Sequence, residues 1–160
     1  KGEEIKDASL EILDEVIQNT RRITHDLLPP VLEKFGFPAA AEDLIEKVSG
    51  STSIKMSCHL NQEQRLNNVR EVALYRILQE LINNSLKHAA PNEILIADAW
   101  QPGGYFFTYS DDGKGFVLNE SEAAGLGLRN IESRVTVLNG ELKWTTSPGA
   151  GLEVNIYLPL

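Results

Sequence analysis

QELINNSLKHA, residues 79–89, is the stretch around which the rest of this chain is organised. On a helix, Glu80 and Asn84 lie one turn apart, and Lys87 or His88 continues the same face a turn later. Leucine and isoleucine residues beside this face give the apolar stripe of a half-buried helix. An amide oxygen is a hard ligand for Mg²⁺, and a lysine is a point charge for phosphate oxygens. The stripe therefore fits a metal-bound polyphosphate, although a solvated polar face produces the same pattern.

The composition indicates a globular domain with an appendage. The chain has 160 residues, of which 42% are hydrophobic and 24% charged. A net charge of −8 without a Lys/Arg cluster argues against nucleic-acid binding. Cys58, the single cysteine, excludes an internal disulfide, and the alternation over 53–60 predicts that it points inward as a small core residue. We find no signal-peptide pattern and no apolar run long enough to cross a bilayer, so we expect no direct membrane contact. Because the chain starts at Lys1, not Met, we expect a segment of a longer protein.

Hydrophobic periodicity predicts an α+β chain. Residues 2–28 read as one long amphipathic helix ended by Pro29 and Pro30, and its apolar stripe requires a partner such as a second copy. A short helical turn follows, with breaks at Gly36 and Pro38. Further elements are expected as helices over 39–48, 66–89 and 126–138, and as strands over 53–60, 93–101, 105–110, 141–146 and 152–158. Helices on one face of a mostly antiparallel sheet make a two-layer α/β sandwich.

Two glycine-bearing motifs follow the predicted strands. Asp111 ends one strand, and its carboxylate can accept a hydrogen bond from an exocyclic amine such as that of adenine. Gly113 and Gly115 behind it allow a sharp turn and the close approach of a flat ligand. Gly125 and Gly127 open a predicted helix, where free backbone amides and the helix dipole favour phosphate. Each motif is weak alone, and the chain has no GxxxxGK[ST], no complete dinucleotide fingerprint and no calcium-loop spacing.

As an ordered set, these motifs are specific. They resemble the N, G1 and G2 boxes and the terminal glycine turn of the GHKL (Bergerat) ATP-binding fold: Glu80-x-x-x-Asn84, Asp111-x-Gly113-x-Gly115, Gly125-x-Gly127-Leu128 and Gly149-x-Gly151. Within that superfamily, residues 84–89 (NSLKHA) and 127–135 (GLRNIESRV) resemble the sensor histidine kinases. The short loop between 115 and 125 resembles the subfamily with a compact ATP lid, found in nitrate and membrane-fluidity sensors.

The resemblance also suggests how the chain is divided. It runs from about residue 36 to the end, so we expect 36–160 to be a complete ATP-binding catalytic domain. Residues 21–37 resemble the end of that subfamily's second dimerisation helix, which makes 1–35 part of a dimerisation and histidine-phosphotransfer domain. The implied fold is a mixed, mostly antiparallel sheet with helices on one face, preceded by the long N-terminal helix.

The resemblance implies that ATP or ADP binds with Mg²⁺, and it gives each matching residue a role. Asn84 would be the Mg²⁺ ligand, Glu80 would orient the nucleophile or a water, and Lys87 would neutralise phosphate charge as the third catalytic residue. The expected nucleotide contacts are Asn84, Lys87, His88, Asp111 (on adenine), Gly113, Gly115, Gly125, Gly127, Leu128 and Arg129. For Arg129 a surface ion pair is the alternative. Leu152 departs from the threonine usual in the family, and the loss of one neutral hydrogen bond, about 0.5–1.5 kcal/mol, predicts somewhat weaker nucleotide affinity.

The implied function is that of a two-component sensor histidine kinase. It would transfer the γ-phosphate of ATP to a histidine and from there to an aspartate of a response regulator. We expect the accepting histidine upstream of Lys1, because His25 lies one turn before Pro29 and no second long helix follows. The N-terminal helix is expected to pair two copies in the intact protein.

Two other functions use the same residues. One is an anti-sigma-factor-type serine kinase, which the long N-terminal helix argues against. The other is a degenerate, non-enzymatic module that dimerises and senses ATP; Leu152 favours it, while Glu80, Asn84 and Asp111 oppose it. We expect this segment to lie in the cytoplasm, and the sequence leaves open whether the intact protein is anchored in a membrane.

Overall fold

The structure, a computed structural model, describes residues 28–117 and 126–160. The chain divides into two compact units, Lys1–Pro30 and Val31–Leu160. The predicted long helix up to residue 27, with His25, and the predicted site residue Gly125 lie outside the described residues. Within the described ranges, no helix combines the length and the apolar character that crossing a membrane requires.

Helices and one five-stranded sheet make up the described part of the chain. In chain order the elements are helix α1 (Pro30–Ser49), strand β1 (Lys55–His59), helix α2 (Asn68–Asn84), a π-helix (Ser85–Ala89), strands β2 (Glu93–Gln101) and β3 (Gly104–Asp111), helix α3 (Leu126–Val137), and strands β4 (Glu141–Thr146) and β5 (Leu152–Pro159). The sheet order is β1-β2-β3-β5-β4. Strand β1 runs parallel to β2, and the other neighbouring pairs are antiparallel. The predicted α+β class with a mixed, mostly antiparallel sheet is confirmed.

The core lies between α2 and the inward faces of β3 and β5. From α2 it takes the predicted apolar stripe, all of it fully buried: Leu74, Ile77, Leu78 and Leu81. In β3 the inward residues are Tyr105, Phe107 and Tyr109, each at most 1% exposed and in register with apolar residues of β5. Because burying an apolar side chain of this size contributes about 1.5–3 kcal/mol, this alternation fixes which face of the sheet meets the core. Asp111 is the next residue in the same alternation. Strand β3 therefore ends with a carboxylate at the edge of the core.

Helix α1 consists of two helical segments that meet at a kink, which agrees with the predicted short helical turn, break at Gly36 and second helix, although the helix after the kink begins before residue 39. It spans Pro30–Ser49 with one break at Gly36, where φ is 86° and ψ is −178°. Glycine adopts this positive φ readily, and a Cβ here would lie 2.6 Å from Arg65 Nε. That guanidinium forms a 2.6 Å ion pair with Glu71, which is 1% exposed. The kink therefore leaves no room for a side chain at position 36.

Helix α2 is shorter than the predicted helix over 66–89. Asn67 caps its N-terminus, where the side-chain oxygen accepts a hydrogen bond from Arg70 N at 3.0 Å. At the other end α-helical winding stops at Asn84, and Ser85–Ala89 continue as a π-helix. The prediction of one uninterrupted α-helix was wrong, because i, i+4 spacing carries no signal for a widened turn held by distant contacts.

The strands agree closely with the predicted ones. Strands β2 and β4 begin and end where the alternation places them, while β3 is longer by one residue at each end and β1 is shorter than predicted. Cys58 in β1 is partly buried and packs against the core. Burial raises the pKa of its thiol to about 11, so the group stays protonated near neutral pH. This agrees with the predicted packing role of Cys58.

Candidate functional site

Asp111 is the buried acidic group at the centre of the candidate site. It ends β3 and is 7% exposed. Its Oδ1 accepts a hydrogen bond from Gly113 N at 2.9 Å, and its Oδ2 accepts one from Ser85 Oγ at 2.6 Å. Apolar residues stand opposite it on both neighbouring strands, Ile94 on β2 and Leu152 on β5. A carboxylate oxygen has two acceptor positions, so each oxygen keeps capacity for a further donor.

Asp112, the next residue, has a different role. It is exposed, and its Oδ1 accepts backbone hydrogen bonds from Asn92 N at 2.7 Å and Glu93 N at 2.9 Å. The hydrogen bond from the Glu93 amide is the largest cause that lowers the pKa of this carboxyl. Asp112 thus ties the loop after β3 to the start of β2. Of the two adjacent aspartates, Asp112 therefore holds the loop, whereas Asp111 lies at the edge of the core.

Two residues that sequence reasoning did not single out complete the surroundings of Asp111. Ser85 and Tyr109 are both fully buried, and their hydroxyl oxygens lie 2.7 Å apart. The Tyr109 hydroxyl also lies 3.5 Å from the Leu81 carbonyl oxygen. Burial raises the pKa of Tyr109, so its phenol remains a hydrogen-bond donor. The alternation along β3 gave one signal for Tyr109, because positions 109 and 111 lie on the same face of the strand.

A π-turn connects the α2 stripe to the loop that follows Asp111. The turn spans Ser85–Ala89, and Ala90 N closes it by donating to the first carbonyl of the turn at 3.2 Å, five residues back. Lys114 N donates to the last carbonyl of the turn at 2.9 Å. Such turns are rare and concentrate at functional sites. Here the Ser85 side chain bonds to Asp111 at the end of β3, and the Ala89 carbonyl oxygen accepts from Lys114 in the loop that follows.

Lys87 and His88 lie inside the π-turn. Both side chains are exposed. A π-turn advances less around the helix axis per residue than an α-turn. The α-helical spacing from which the single stripe was predicted therefore ends at Asn84, and the placement of Lys87 or His88 on one face with Glu80 and Asn84 stays a prediction.

The structure brings together the acid and amide of α2 with the glycine that opens α3. A Cβ placed on Gly127 would collide with Glu80 Oε1 and lie 3.3 Å from Asn84 Nδ2. Both side chains are partly exposed. The first turn of α3 therefore rests directly on the predicted polar stripe, at a distance that only a glycine allows. The two motifs lie 43 positions apart in sequence (127 − 84) and form one surface.

The remaining predicted residues lie around this surface. Gly113 packs against Ala89 of the π-turn, and Gly115 packs against the backbone of the turn between β4 and β5. Leu128 is partly buried and packs against the core, whereas Arg129 is exposed. Gly125 lies outside the described residues. The described residues thus place a buried carboxylate, a partly exposed acid–amide pair and a helix start around one edge of the domain.

Comparison with known proteins shows the class to which this arrangement belongs. The family model for histidine kinase-, DNA gyrase B- and HSP90-like ATPases matches residues 69–160. That range contains the α2 stripe, Asp111 and the start of α3. The chain therefore belongs to this ATPase family.

Individual relatives place the chain within the family. It is 30% identical over 170 residues to the sensor histidine kinase ComP of Bacillus subtilis (strain 168), covering 99% of this chain and 21% of that protein. It is 33% identical over 158 residues to the sensor histidine kinase MctS of Rhizobium johnstonii, covering 96% of this chain and 34% of that protein. The chain thus spans between about a fifth and a third of the length of these curated relatives.

A solved structure agrees in fold. The histidine kinase domain of the Erythrobacter litoralis EL346 blue-light activated histidine kinase matches with a TM-score of 0.63 at 24% identity, covering 74% of this chain and 57% of that one. Together with the sequence relatives, this match confirms the resemblance to which the motifs pointed. The ATP-binding domain of this chain is of the sensor histidine kinase type.

Proposed function

We propose that residues 36–160 bind Mg-ATP at the edge described above and donate its γ-phosphate to a histidine, as the catalytic domain of a sensor histidine kinase. The observation that carries the proposal is the joint placement of two features. Asp111 is held at the end of β3 by two donors, and the Glu80–Asn84 stripe meets the helix start at Gly127. One feature suits a nucleobase, and the other suits its phosphates.

The base end rests on Asp111. Its two bound donors fix the carboxylate, and the remaining acceptor positions match the exocyclic amine of adenine. Ile94 and Leu152, its neighbours across the sheet, are buried apolar residues, so the carboxylate lies in apolar surroundings. Burial strengthens a hydrogen bond to a charged acceptor, because the local dielectric constant is low. These features support Asp111 as the residue that reads the base.

The phosphate end rests on α2 and α3. Asn84 is the proposed Mg²⁺ ligand, and Gly127 brings the free amides of the α3 start against it. Lys87, His88 and Arg129 are exposed, and each lies within four residues of Asn84 or Gly127 in the sequence. One side-chain ligand, the Asn84 amide oxygen, together with the substrate's own phosphate oxygens fits the way Mg²⁺ is bound at nucleotide sites.

Catalysis in this proposal is mainly positioning and charge neutralisation. Bound Mg²⁺ would neutralise charge on the phosphates. Asn84 and the α3 amides orient them, Lys87 offsets the negative charge that develops on transfer, and Glu80 orients the nucleophile or a water. Gly127 keeps the Glu80 carboxylate where it is by leaving it room.

The partners follow from the sensor histidine kinase relatives. We propose that the accepting histidine lies on a helix upstream of Lys1, and that the phosphate passes from it to an aspartate of a response regulator. Residues 1–35 would be the end of the dimerisation domain, pairing two copies in the intact protein. The catalytic segment would act in the cytoplasm. ComP and MctS are sensor histidine kinases, which favours this function over the serine-kinase alternative.

Calorimetric titration with Mg-ADP tests the base end and has a matched control. In Asp111→Asn the carboxylate becomes an amide of the same shape, and we expect affinity to fall about tenfold or more, since a hydrogen bond to a charged group contributes about 1.5–3 kcal/mol. Asp112→Asn makes the same chemical change one residue away, on a side chain that holds the loop, and should keep affinity within about twofold of the parent. Equal affinity of the parent and Asp111→Asn would overturn the assignment.

A further inference from the structure

A chain of three buried polar groups runs behind the proposed base-reading carboxylate. Tyr109 and Ser85 are fully buried, and Asp111 is 7% exposed. The Tyr109 and Ser85 hydroxyl oxygens are 2.7 Å apart, and Ser85 Oγ lies 2.6 Å from Asp111 Oδ2. Apolar residues of β2 and β5 stand opposite Tyr109 and Asp111 in the sheet. Because these surroundings are apolar, the hydrogen bonds are strong and their loss is costly.

The Asp111 carboxylate, at one end of this hydrogen-bonded series, determines the direction of its hydrogen bonds. A carboxylate only accepts, so the Ser85 hydroxyl hydrogen goes to Asp111. Ser85 Oγ is then left as an acceptor for the Tyr109 hydroxyl, which burial keeps protonated. The Leu81 carbonyl oxygen is the other acceptor within reach of that hydroxyl, but at 3.5 Å against 2.7 Å it is the weaker one. Donation therefore runs from Tyr109 to Ser85 to Asp111, and each bond polarises the next.

We infer that Ser85 and Tyr109 are positioning residues for base recognition, acting through Asp111; this rests on the proposed function. In the described ranges, Ser85 is the one side chain that donates to Asp111, and Gly113 N is the other donor. Opposite Asp111 on β5 stands Leu152, which has no hydrogen-bonding group. The orientation of the carboxylate plane thus depends on Ser85, and the orientation of the Ser85 hydroxyl depends on Tyr109.

The consequence is selectivity for a purine with an exocyclic amine. An oriented carboxylate accepts a hydrogen bond from adenine, whereas the carbonyl at the same position of hypoxanthine presents lone pairs that repel it. A carboxylate that can rotate accepts a weaker hydrogen bond from the adenine amine, and it also repels the hypoxanthine carbonyl less. Loss of the Ser85 hydroxyl should therefore reduce the preference for ADP over IDP more than it reduces affinity for IDP.

The test compares ADP and IDP affinities, both with Mg²⁺, by calorimetry on the full chain. In the parent we expect ADP to bind more tightly, and in Ser85→Ala we expect the ADP:IDP ratio to fall by about three- to tenfold, the effect of one hydrogen bond to a charged group. Tyr109→Phe should lower the ratio less and in the same direction. The double variant should lose less than the sum, because the two groups act in series.

The outcomes separate this inference from the proposed function. A parent ratio near one, or a ratio unchanged by Asp111→Asn, would overturn both. A ratio that collapses in Asp111→Asn but survives in Ser85→Ala and Tyr109→Phe would overturn the role of the two hydroxyls and leave the proposed function standing. If Ser85→Ala does not fold, Tyr109→Phe decides alone, because it removes one oxygen and keeps the ring in the core. A purely structural role would lower both affinities together and leave the ratio unchanged, which also overturns the inference.

Discussion

Gly127→Ala tests whether the contact between α3 and the polar stripe serves nucleotide binding. The added Cβ would collide with Glu80 Oε1 and lie 3.3 Å from Asn84 Nδ2. The colliding atom is the end of a flexible side chain, so Glu80 can rotate away. A rotation of about 30° off a rotamer costs roughly 0.5–1.5 kcal/mol. Alanine in place of glycine in a helix returns up to about 1 kcal/mol. We therefore expect the free energy of unfolding to change by less than about 1 kcal/mol.

The effect on binding should be larger than the effect on stability. The helix-propensity gain is the same with and without nucleotide, so it cancels in the affinity. If bound phosphates require the native positions of Glu80 and Asn84, the cost of displacement appears in full as weaker binding. A cost of 0.5–1.5 kcal/mol corresponds to about a two- to tenfold increase in the dissociation constant. Urea unfolding and calorimetric titration with Mg-ADP measure the two quantities on the same protein.

A double-mutant cycle identifies the cause. In the Glu80→Ala background the colliding atoms are gone, so Gly127→Ala should weaken Mg-ADP binding little or not at all. Ser133→Ala, on an exposed position of the same helix, is the matched control and should leave both stability and affinity unchanged. An equal loss of affinity in the presence and absence of the Glu80 side chain would refute the steric reasoning.

Three further predictions concern the metal, the acceptor and the loop. Asn84→Ala should abolish the Mg²⁺ dependence of ADP affinity and shift apo stability by less than about 1 kcal/mol, because a partly exposed ligand is removed and no core is lost; a large loss of apo stability in thermal unfolding would indicate a structural role. Incubated with γ-labelled ATP, the chain should remain unlabelled alone and should yield acid-labile phosphohistidine on a supplied upstream helix; labelling of the chain alone that His25→Gln removes would place the acceptor at His25. The pKa of Asp112 is lowered by the Glu93 amide, so its stabilising contribution is present above the unfolded pKa, near 3.8, and is lost as pH falls through the lower folded value. Asp112→Asn should therefore flatten the acid side of the stability–pH curve in urea unfolding, and an unchanged curve would contradict this.

Local periodicity was sufficient for much of the fold. Strands β2 and β4 begin and end where alternation alone places them, since a period of two is visible within a few residues and one face of each meets the core. Asp111 could be singled out in the same way, because the carboxylate ends a strand and glycines follow it. These features depend on neighbours one to four positions away, which a single sequence displays directly.

Contacts between distant residues were decided by the tertiary structure. Ser85 bonds to Tyr109 and Asp111, which are 24 and 26 positions away, and the π-turn is tied to Lys114 through a backbone bond. The turn replaced the predicted α-helical end because its geometry joins α2 to the loop after β3. Periodicity within 79–89 carries no information about that loop.

The sequence by itself determined which residue types were available: an acid–amide pair one turn apart, a carboxylate at a strand end and glycines at a helix start. Only the tertiary structure decided that Gly127 rests on Glu80, and that a serine and a tyrosine stand behind Asp111. The physical reason is that spacing along a helix or strand sets which face a side chain occupies. Packing of one element against another sets what that face meets.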